Sequence, residues 1–279
     1  MKRILFSLLF LSTVAGSQAQ ELKLPALSPT AKINQEFSTS SIDISYSRPS
    51  MRGRKIFGDV VGYGKPWRTG ANGATKVKFG EDVVIENQNI KAGEYVLYSI
   101  PGEKEWEVIL NKGTAPLGPD GYPKADDVAR FKVKTRELDK TVQTFTIDIT
   151  NITLNSCKIE IMWENTRIVI PVKADNAARL NAAIDKAINN PNIPYFQAAN
   201  YYYETDQNLE KANSYVDKAL ASNPDAFYMW YLKARIEKKM GHKQAAIDAA
   251  RKSMEKAKGS ALEAEYQHNN QKIIDELSK

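Results

Sequence analysis

The chain has 279 residues and a formal net charge of +6 at pH 7, and it contains one cysteine and two histidines. A single cysteine cannot form an internal disulfide, so packed cores must stabilise the fold. The cysteine and the histidines lack the spacing of a zinc site, and we expect no metal and no cofactor. Lysine and glutamate alternate through the C-terminal half, so a basic block for nucleic-acid binding is not expected.

The N-terminus has the three regions of a secretory signal peptide. Met1–Arg3 is basic, Ile4–Ala15 is apolar, and Ser17 and Ala19 are small residues at the spacing of a cleavage site. The apolar run is shorter than the roughly 20 residues that span a bilayer. We therefore predict a signal peptide over 1–19, export to the periplasm or the outside of the cell, and no membrane span after cleavage. An uncleaved membrane anchor is the alternative.

Residues 20–172 carry the pattern of half-buried strands. Apolar residues recur at every second position in Ser41–Tyr46, Glu105–Leu110 and Ser156–Trp163. A period of two places successive side chains on opposite faces of a strand. The strands follow one another without helical patterns between them, which is typical of an antiparallel β-sandwich or barrel. We predict a domain of this class over 20–172.

Three local features refine this β domain. Tyr95–Ile100 is apolar on both faces, which indicates a central strand. Asn165-Thr166 separates two alternating runs and predicts a tight hairpin. Asn111–Asp127 is rich in glycine and proline and predicts a long loop.

Residues 173–279 are predicted to be helical and contain an internal repeat. Phe196 and Trp230 are 34 residues apart, and several pairs of small residues keep the same offset. This is the period of the tetratricopeptide (TPR) repeat, in which each unit is a pair of helices. We predict a first helix that ends before Pro191, two TPR-like units, and a capping helix over Ala261–Leu277. A plain helical bundle with a chance period is the alternative.

The segment Ser47–Thr75 differs from the strands around it, because it contains four arginines and six glycines. Arginine offers a planar fork of donors that suits carboxylate or phosphate, and glycine allows close backbone approach. Two interpretations stay open. The segment either forms a pocket for a small anionic or sugar-like ligand, or it is a structural brace whose arginines bind backbone carbonyls and whose tryptophan plugs the core. The candidate ligand-binding residues are Arg48, Arg54, Trp67, Arg68 and Asn72.

Short motifs in and after this segment form a specific pattern. They include Ser47–Pro49, Ile56–Gly58, Trp67–Asn72, Glu105-Trp106 and Asn111-Lys112. Over roughly residues 28 to 172, the pattern resembles a family of secreted bacterial proteins known as domain of unknown function 2911. The resemblance implies an exported, mostly β domain, sometimes with added helical repeats, and no established activity. Relatives tend to carry Trp-Gly where Leu117-Gly118 stands here, so ligand preference could differ if that Trp lines a pocket.

The residues of known catalytic motifs are absent from the sequence or badly placed. There is no Gly-x-Ser-x-Gly elbow and no phosphate-binding glycine-rich loop. Cys157 alternates onto an apolar face, which argues against cysteine catalysis. A carboxylate pair for glycoside cleavage stays open, with Asp126-Asp127 as the nearest candidate, although a solvated loop charge is the simpler interpretation.

The leading hypothesis is an exported, non-catalytic binding or scaffold protein. The helices would hold a protein partner in their concave face, and core packing is the alternative role for the aromatic residues proposed there. Those partner-binding candidates are Tyr201, Tyr202, Tyr228 and Tyr231. The other hypotheses are an enzyme that acts on cell-envelope carbohydrate through a carboxylate pair, and a purely structural envelope protein.

Overall fold

The protein consists of an antiparallel β domain followed by a helical domain in the computed structural model, which describes residues 24–113, 122–188 and 194–279. The signal peptide predicted over 1–19 lies outside these residues, as do Leu117-Gly118, Pro191 and part of the loop predicted over Asn111–Asp127.

Nine strands of the described residues form one antiparallel sheet. They are β1 (Thr30–Phe37), β2 (Ser40–Ser47), β3 (Thr75–Phe79), β4 (Val83–Ile85), β5 (Gln88–Ile90), β6 (Gly93–Ile100), β7 (Glu105–Asn111), β8 (Asp127–Thr150) and β9 (Ser156–Ala174). Their order across the sheet is β1-β2-β3-β6-β7-β8-β9-β4-β5. Strand β8 joins the two parts of the sheet, since its residues up to Lys134 pair with β7 and those from Thr135 onward pair with β9.

Alternate side chains of these strands fill one hydrophobic core. The apolar faces predicted for β2, β7 and β9 are buried in it. Strand β6 lies inside the sheet between β3 and β7, as predicted from its apolar character. Its residues Tyr95 and Leu97 enter the main core, whereas Tyr98 packs with Ile109 and Tyr122 in a smaller cluster. Each large apolar side chain buried in this way contributes about 1.5–3 kcal/mol.

The chain that leaves β2 crosses to the second half of β8. The Phe145 amide donates to the Pro49 carbonyl oxygen at 2.9 Å. The Tyr46 hydroxyl donates to the Ile147 carbonyl oxygen at 3.1 Å and accepts from the Ile147 amide at 3.0 Å. These bonds link β2 and the chain after it directly to β8, although β2 and β8 are not neighbours in the sheet order.

The tight hairpin predicted at Asn165-Thr166 is wrong. Strand β9 runs through these residues without a reversal and stays paired with β8. The pairing register shifts between Glu137 and Val142 of β8, and Glu164 of β9 has a φ of +54°. Such an irregularity inserts unpaired residues and bends a strand without turning the chain back. The polar pair that reads as a turn in the sequence therefore lies at a bulge.

Six helices follow the sheet in the described residues. They are α1 (Ala177–Ala187), α2 (Tyr195–Glu204), α3 (Leu209–Ser222), α4 (Phe227–Lys239), α5 (Lys243–Ala257) and α6 (Glu263–Ser278). From α2 onward each helix packs against the next, and α4 also contacts α2 and α6. The chain thus changes from strand to helix as predicted, and α6 corresponds to the predicted final helix. Within the described ranges, no helix combines the length and apolar content of a membrane span.

Glu81 forms a polar junction between the β domain and α1. Its carboxylate accepts hydrogen bonds from Asn176 Nδ2 at 2.6 Å, from Arg179 Nη2 at 3.1 Å, and from the Thr39 amide and hydroxyl at 3.0 Å each. The Glu81 side chain is only 10% exposed. Burial alone would raise its pKa, but the hydrogen bonds from Asn176 and Thr39 outweigh burial, so the pKa of Glu81 lies below its usual value.

We expect Glu81→Gln to lower the thermal midpoint, Tm, at pH 7 and to lose this effect in acid. A carboxyl group with a depressed folded-state pKa stabilises the fold above its unfolded value of about 4.3, and this stability is lost as the pH falls through the folded value. Each kcal/mol lost should shift Tm by about 2–4 °C. Tm measured from pH 7 to about pH 3 tests this. The exposed Glu36→Gln is the matched control, and an equal Tm deficit for Glu81→Gln at both ends of the pH range would contradict the assignment.

Candidate functional site

Trp67 of the motif segment lies inside an aromatic cluster of the β-domain core. Its indole Nε1 donates to the Gly70 carbonyl oxygen at 3.0 Å, and the residue is 9% exposed. Its ring neighbours, with centroids 5.2–6.1 Å away, are Phe57, Trp106, Phe145 and Trp163. Aromatic pairs at these separations add stability beyond the area they bury. The indole is therefore part of the core and does not face an open pocket.

The four arginines of the segment all donate to backbone oxygens, and Arg48 and Arg54 show the two ways in which they do so. Arg48 is half-buried, and its Nε donates to the Phe145 carbonyl oxygen at 3.1 Å while its Nη2 donates to Thr146 Oγ1 at 2.9 Å. Arg54 is exposed and donates to the carbonyl oxygens of Met51 and Ser50 at 2.9 and 3.0 Å. Arg48 thereby ties the segment to β8, whereas Arg54 stabilises only its own turn.

Arg68 and Asn72 close a second turn. Arg68 Nη1 donates to the Asn72 carbonyl oxygen at 2.5 Å, and Asn72 Nδ2 donates to the Ser28 carbonyl oxygen at 3.2 Å. Asn72 has a φ of +57°, a conformation that asparagine tolerates better than most residues. Donors of both side chains are thus directed at the main chain.

The five candidate ligand residues do not line any of four cavities that the described residues form, with volumes of about 360–780 Å³. Trp67 is buried, and the side chains of the other four donate to backbone oxygens within the segment or next to it in the fold. A shared ligand pocket at these residues stays a prediction, and the geometry matches the brace interpretation more closely.

A cluster of charged side chains lies at the end of β7 and the start of β8. Arg130 pairs with Asp127 at 2.8 Å and with Glu107 at 2.6 Å, and the Tyr122 hydroxyl donates to Asp127 at 3.0 Å. Burial, followed by the hydrogen bond to Asp127, raises the pKa of Tyr122 to about 12. Both carboxylates are engaged by the arginine between them, which favours a structural role.

This cluster gives the carbohydrate-enzyme hypothesis little support. Glycoside cleavage requires two carboxyl groups that face the substrate, one of them available as an acid. Asp126, the other half of the pair suggested by the sequence, belongs to a short 3-10 turn over Lys124–Asp126. Among the residues the structure describes, no group of three or more His, Cys, Asp or Glu side chains is arranged to hold a metal ion.

The four tyrosines predicted to contact a partner divide into core and surface residues. Tyr202 is 2% exposed and packs in the core of the helical domain. Tyr201 is half-buried, and its hydroxyl accepts a hydrogen bond from Gln207 Nε2 at 3.0 Å. Tyr228 is 37% exposed. Tyr231 is half-buried and lines a cleft.

This cleft, with a volume of about 420 Å³, lies between α2, α4 and α6, and we call it the basic cleft. Its lining residues are Tyr203, Tyr231, Arg235, Lys238, Lys239, Asn269, Lys272, Ile273 and Glu276. Four of them are cationic and one is acidic. Tyr231 is one of the residues predicted from the sequence to contact a partner, whereas none of the four cations was predicted. Their only local signal is the spacing of Tyr231, Arg235 and Lys239, which places them on one helix face.

A second cavity of about 500 Å³ lies where the β domain meets α1 and α2. Leu154 of the turn after β8 faces it, together with Leu180 and Ile184 of α1 and Phe196 of α2. Leu154 is 46% exposed. The cavity is mainly apolar and therefore differs in chemistry from the basic cleft.

A comparison with protein families matches residues 28–172 to the family described as protein of unknown function (DUF2911). The chain belongs to the DUF2911 family. The match covers just over half of the 279 residues and ends within β9, so the DUF2911 region coincides with the β domain. The resemblance seen in the sequence motifs is thereby confirmed. Comparisons with curated proteins and with solved structures gave no match.

We expect Trp67→Ala to destabilise the DUF2911 domain by about 3–5 kcal/mol, because it removes a buried indole and its hydrogen bond to Gly70. Urea unfolding followed by circular dichroism measures the loss. Arg54→Ala is the control from the same segment and should cost less than about 1 kcal/mol, since this exposed side chain bonds only within its own turn. Similar losses for the two variants would contradict the placement of Trp67 in the core.

We also expect the Cys157 thiol to be unreactive in the folded protein. The residue is 2% exposed, and burial raises the pKa of its thiol to about 11, so very little thiolate forms at pH 8. A chromogenic disulfide reagent should label the chain only after denaturation. Fast labelling of the native protein at pH 8 would show that the Cys157 thiol is accessible. It would make catalysis by this thiol a hypothesis again.

Proposed function

We propose that this DUF2911 protein is an exported, non-catalytic binding or scaffold protein whose helical domain holds a protein partner. One contrast carries the proposal. Arg48, Arg54, Arg68 and Asn72, the polar side chains proposed as ligand-binding residues, donate to main-chain oxygens, whereas the helical domain presents a cleft of cations and tyrosines at its surface. Export rests on the basic, apolar and small-residue regions at the N-terminus.

Packing within the helical domain supports the TPR-like interpretation. Ala212 and Ala246, which are 34 residues apart, are both 0% exposed. Phe196 and Trp230 share the same offset, and the Phe196 ring contacts Tyr228 of α4 at a centroid distance of 5.1 Å. Small residues allow close helix approach at equivalent positions, and aromatic residues fill the spaces between successive helix pairs. Such stacking creates an extended surface that suits a protein partner.

The β domain serves as the support in this proposal. Its sheet encloses one main core, which is the arrangement of a sandwich or barrel, and the Ser47–Thr75 segment braces this core through Trp67 and Arg48. The small anionic or sugar-like ligand predicted for this segment would need a pocket, and four cavities of the described residues are lined by other residues. We therefore assign recognition to the helices.

Site-specific photo-crosslinking in bacterial cells that express the full chain tests this function. A photoreactive amino acid at Tyr228, which is 37% exposed on α4, should give one or a few discrete protein adducts. The same amino acid at Tyr63, which is 39% exposed in the motif segment, is the matched control and should give none. Adducts at Tyr63 but not at Tyr228 would indicate that the β domain, and not the helical domain, binds the partner. A lack of adducts at both positions would favour a purely structural protein.

A further inference from the structure

We propose that the basic cleft recognises an extended acidic peptide segment of the protein partner. This inference rests on the proposed function, because it specifies the chemistry of the partner that the helical domain would hold. Three features of the cleft lead to it: the balance of charge, the length of the site, and the way its tyrosine rings are already occupied.

The charge of the cleft favours carboxylates. Arg235 pairs with Glu204 at 3.0 Å and Lys239 with Asp206 at 3.1 Å, and both acidic partners lie outside the lining. Lys272 is exposed and has no ion-pair contact within 4 Å among the described residues, although its charge acts on Glu276 one turn further along α6. Surface ion pairs contribute about 0–1 kcal/mol, so carboxylates of a ligand can replace Glu204 and Asp206 at little cost. The lining itself then presents four cations against the single carboxylate of Glu276.

The remaining cation of the lining is already oriented. Lys238 of α4 forms an ion pair with Glu276 of α6 across the cleft. This pair holds the two helices in register beside Lys272, which lies one helical turn before Glu276. Packing of α4 against α6 sets the width of the cleft. Its positive charge is least neutralised at Lys272 and at the cations whose partners are most exposed. Asp206, the partner of Lys239, has a side chain that is 70% exposed.

The length of the cleft fits a short extended peptide. The lining follows α4 over the nine residues Tyr231–Lys239, whose eight steps span roughly 12 Å at 1.5 Å per residue. An extended chain advances about 3.3–3.6 Å per residue, so three or four residues fit along this wall. Ile273, which is 6% exposed, supplies an apolar floor. The Asn269 side chain has no hydrogen-bond partner among the described residues and can pair with a peptide backbone.

The tyrosine rings are poorly placed to stack on a sugar or a base. The Arg235 guanidinium carbon lies 4.5 Å from the Tyr203 ring centroid, and Lys239 Nζ lies 5.1 Å from it. Tyr231 likewise contacts Arg235 at 5.6 Å and the Tyr266 ring at 5.4 Å. Recognition of carbohydrate or single-stranded nucleic acid depends on open aromatic faces. The rings instead hold the cations in place, which favours a ligand that is read by its charge.

Fluorescence anisotropy with the full-length protein tests the inference. The probe is a labelled octapeptide of six glutamates and two leucines, and its control has glutamines in place of the glutamates. We expect the glutamine peptide to bind at least about tenfold more weakly, and the affinity of the acidic peptide to fall as salt screens the cations.

Paired variants locate the site. The double variant Lys239→Gln/Lys272→Gln removes two exposed cations of the cleft and should weaken acidic-peptide binding by about three- to tenfold. The matched control, Arg251→Gln/Lys258→Gln, removes two exposed cations outside the lining and should leave the affinity within about twofold. Equal weakening by both double variants would indicate non-specific electrostatic attraction and would contradict the assignment of peptide binding to the basic cleft. Tm values verify that each variant is folded.

The outcomes separate this inference from the proposed function. Adducts at Tyr228 without binding of the acidic peptide would refute the cleft assignment and leave the partner-binding function standing. Binding of the acidic peptide without adducts at Tyr228 would count against the function while supporting the chemistry of the cleft. Binding of an oligogalacturonate probe in place of the acidic peptide would overturn the inference in favour of an anionic carbohydrate.

Discussion

The packing of Trp67 against three strands is the interaction on which the β domain depends most. Its ring contacts Trp106 of β7, Phe145 of β8 and Trp163 of β9, with centroids 5.9, 5.2 and 6.1 Å away. These strands are consecutive in the sheet, and β8 is the one that joins its two parts. A side chain from a segment between β2 and β3 thereby holds both parts around one core. The same indole cannot stack on a ligand without leaving this position.

The motif around Trp67 follows from that packing. A Cβ atom at Gly70, where φ is +158°, would lie 3.2 Å from the Ser47 carbonyl oxygen and from Thr75 Oγ1, closer than side chains normally approach. Glycine allows the chain to pass this point and to place its carbonyl oxygen under the indole Nε1. The Thr75 hydroxyl donates a hydrogen bond to the carbonyl oxygen of Thr69 at 2.5 Å, and Thr69 is 0% exposed. A buried turn therefore accounts for arginine, glycine and tryptophan in one segment, and a ligand pocket is not needed to explain them.

The limits of prediction from sequence follow from the range of the interactions involved. Alternation within Glu105–Leu110 and Ser156–Trp163 identified the buried faces of β7 and β9, because a period of two depends only on neighbouring residues. The hairpin at Asn165-Thr166 was wrong because a bulge and a turn use similar polar residues, and the choice depends on pairing with distant β8. Tyr202 and Tyr231 look alike in sequence, yet helix packing buries the first and places the second in a cleft.

The basic cleft, where we propose that a partner binds, lies outside the part of the chain that matches the DUF2911 family. The DUF2911 match ends at residue 172, whereas the cleft begins at Tyr203 and is formed only by α2, α4 and α6. Its cations come from two helices about 35 residues apart, so they meet only when the helices stack. Glu81 fixes α1 to the β domain through Asn176, which gives the helical domain a defined attachment but adds nothing to the cleft. We therefore expect DUF2911 proteins without these helices to share the buried Trp67 turn and to lack the basic cleft.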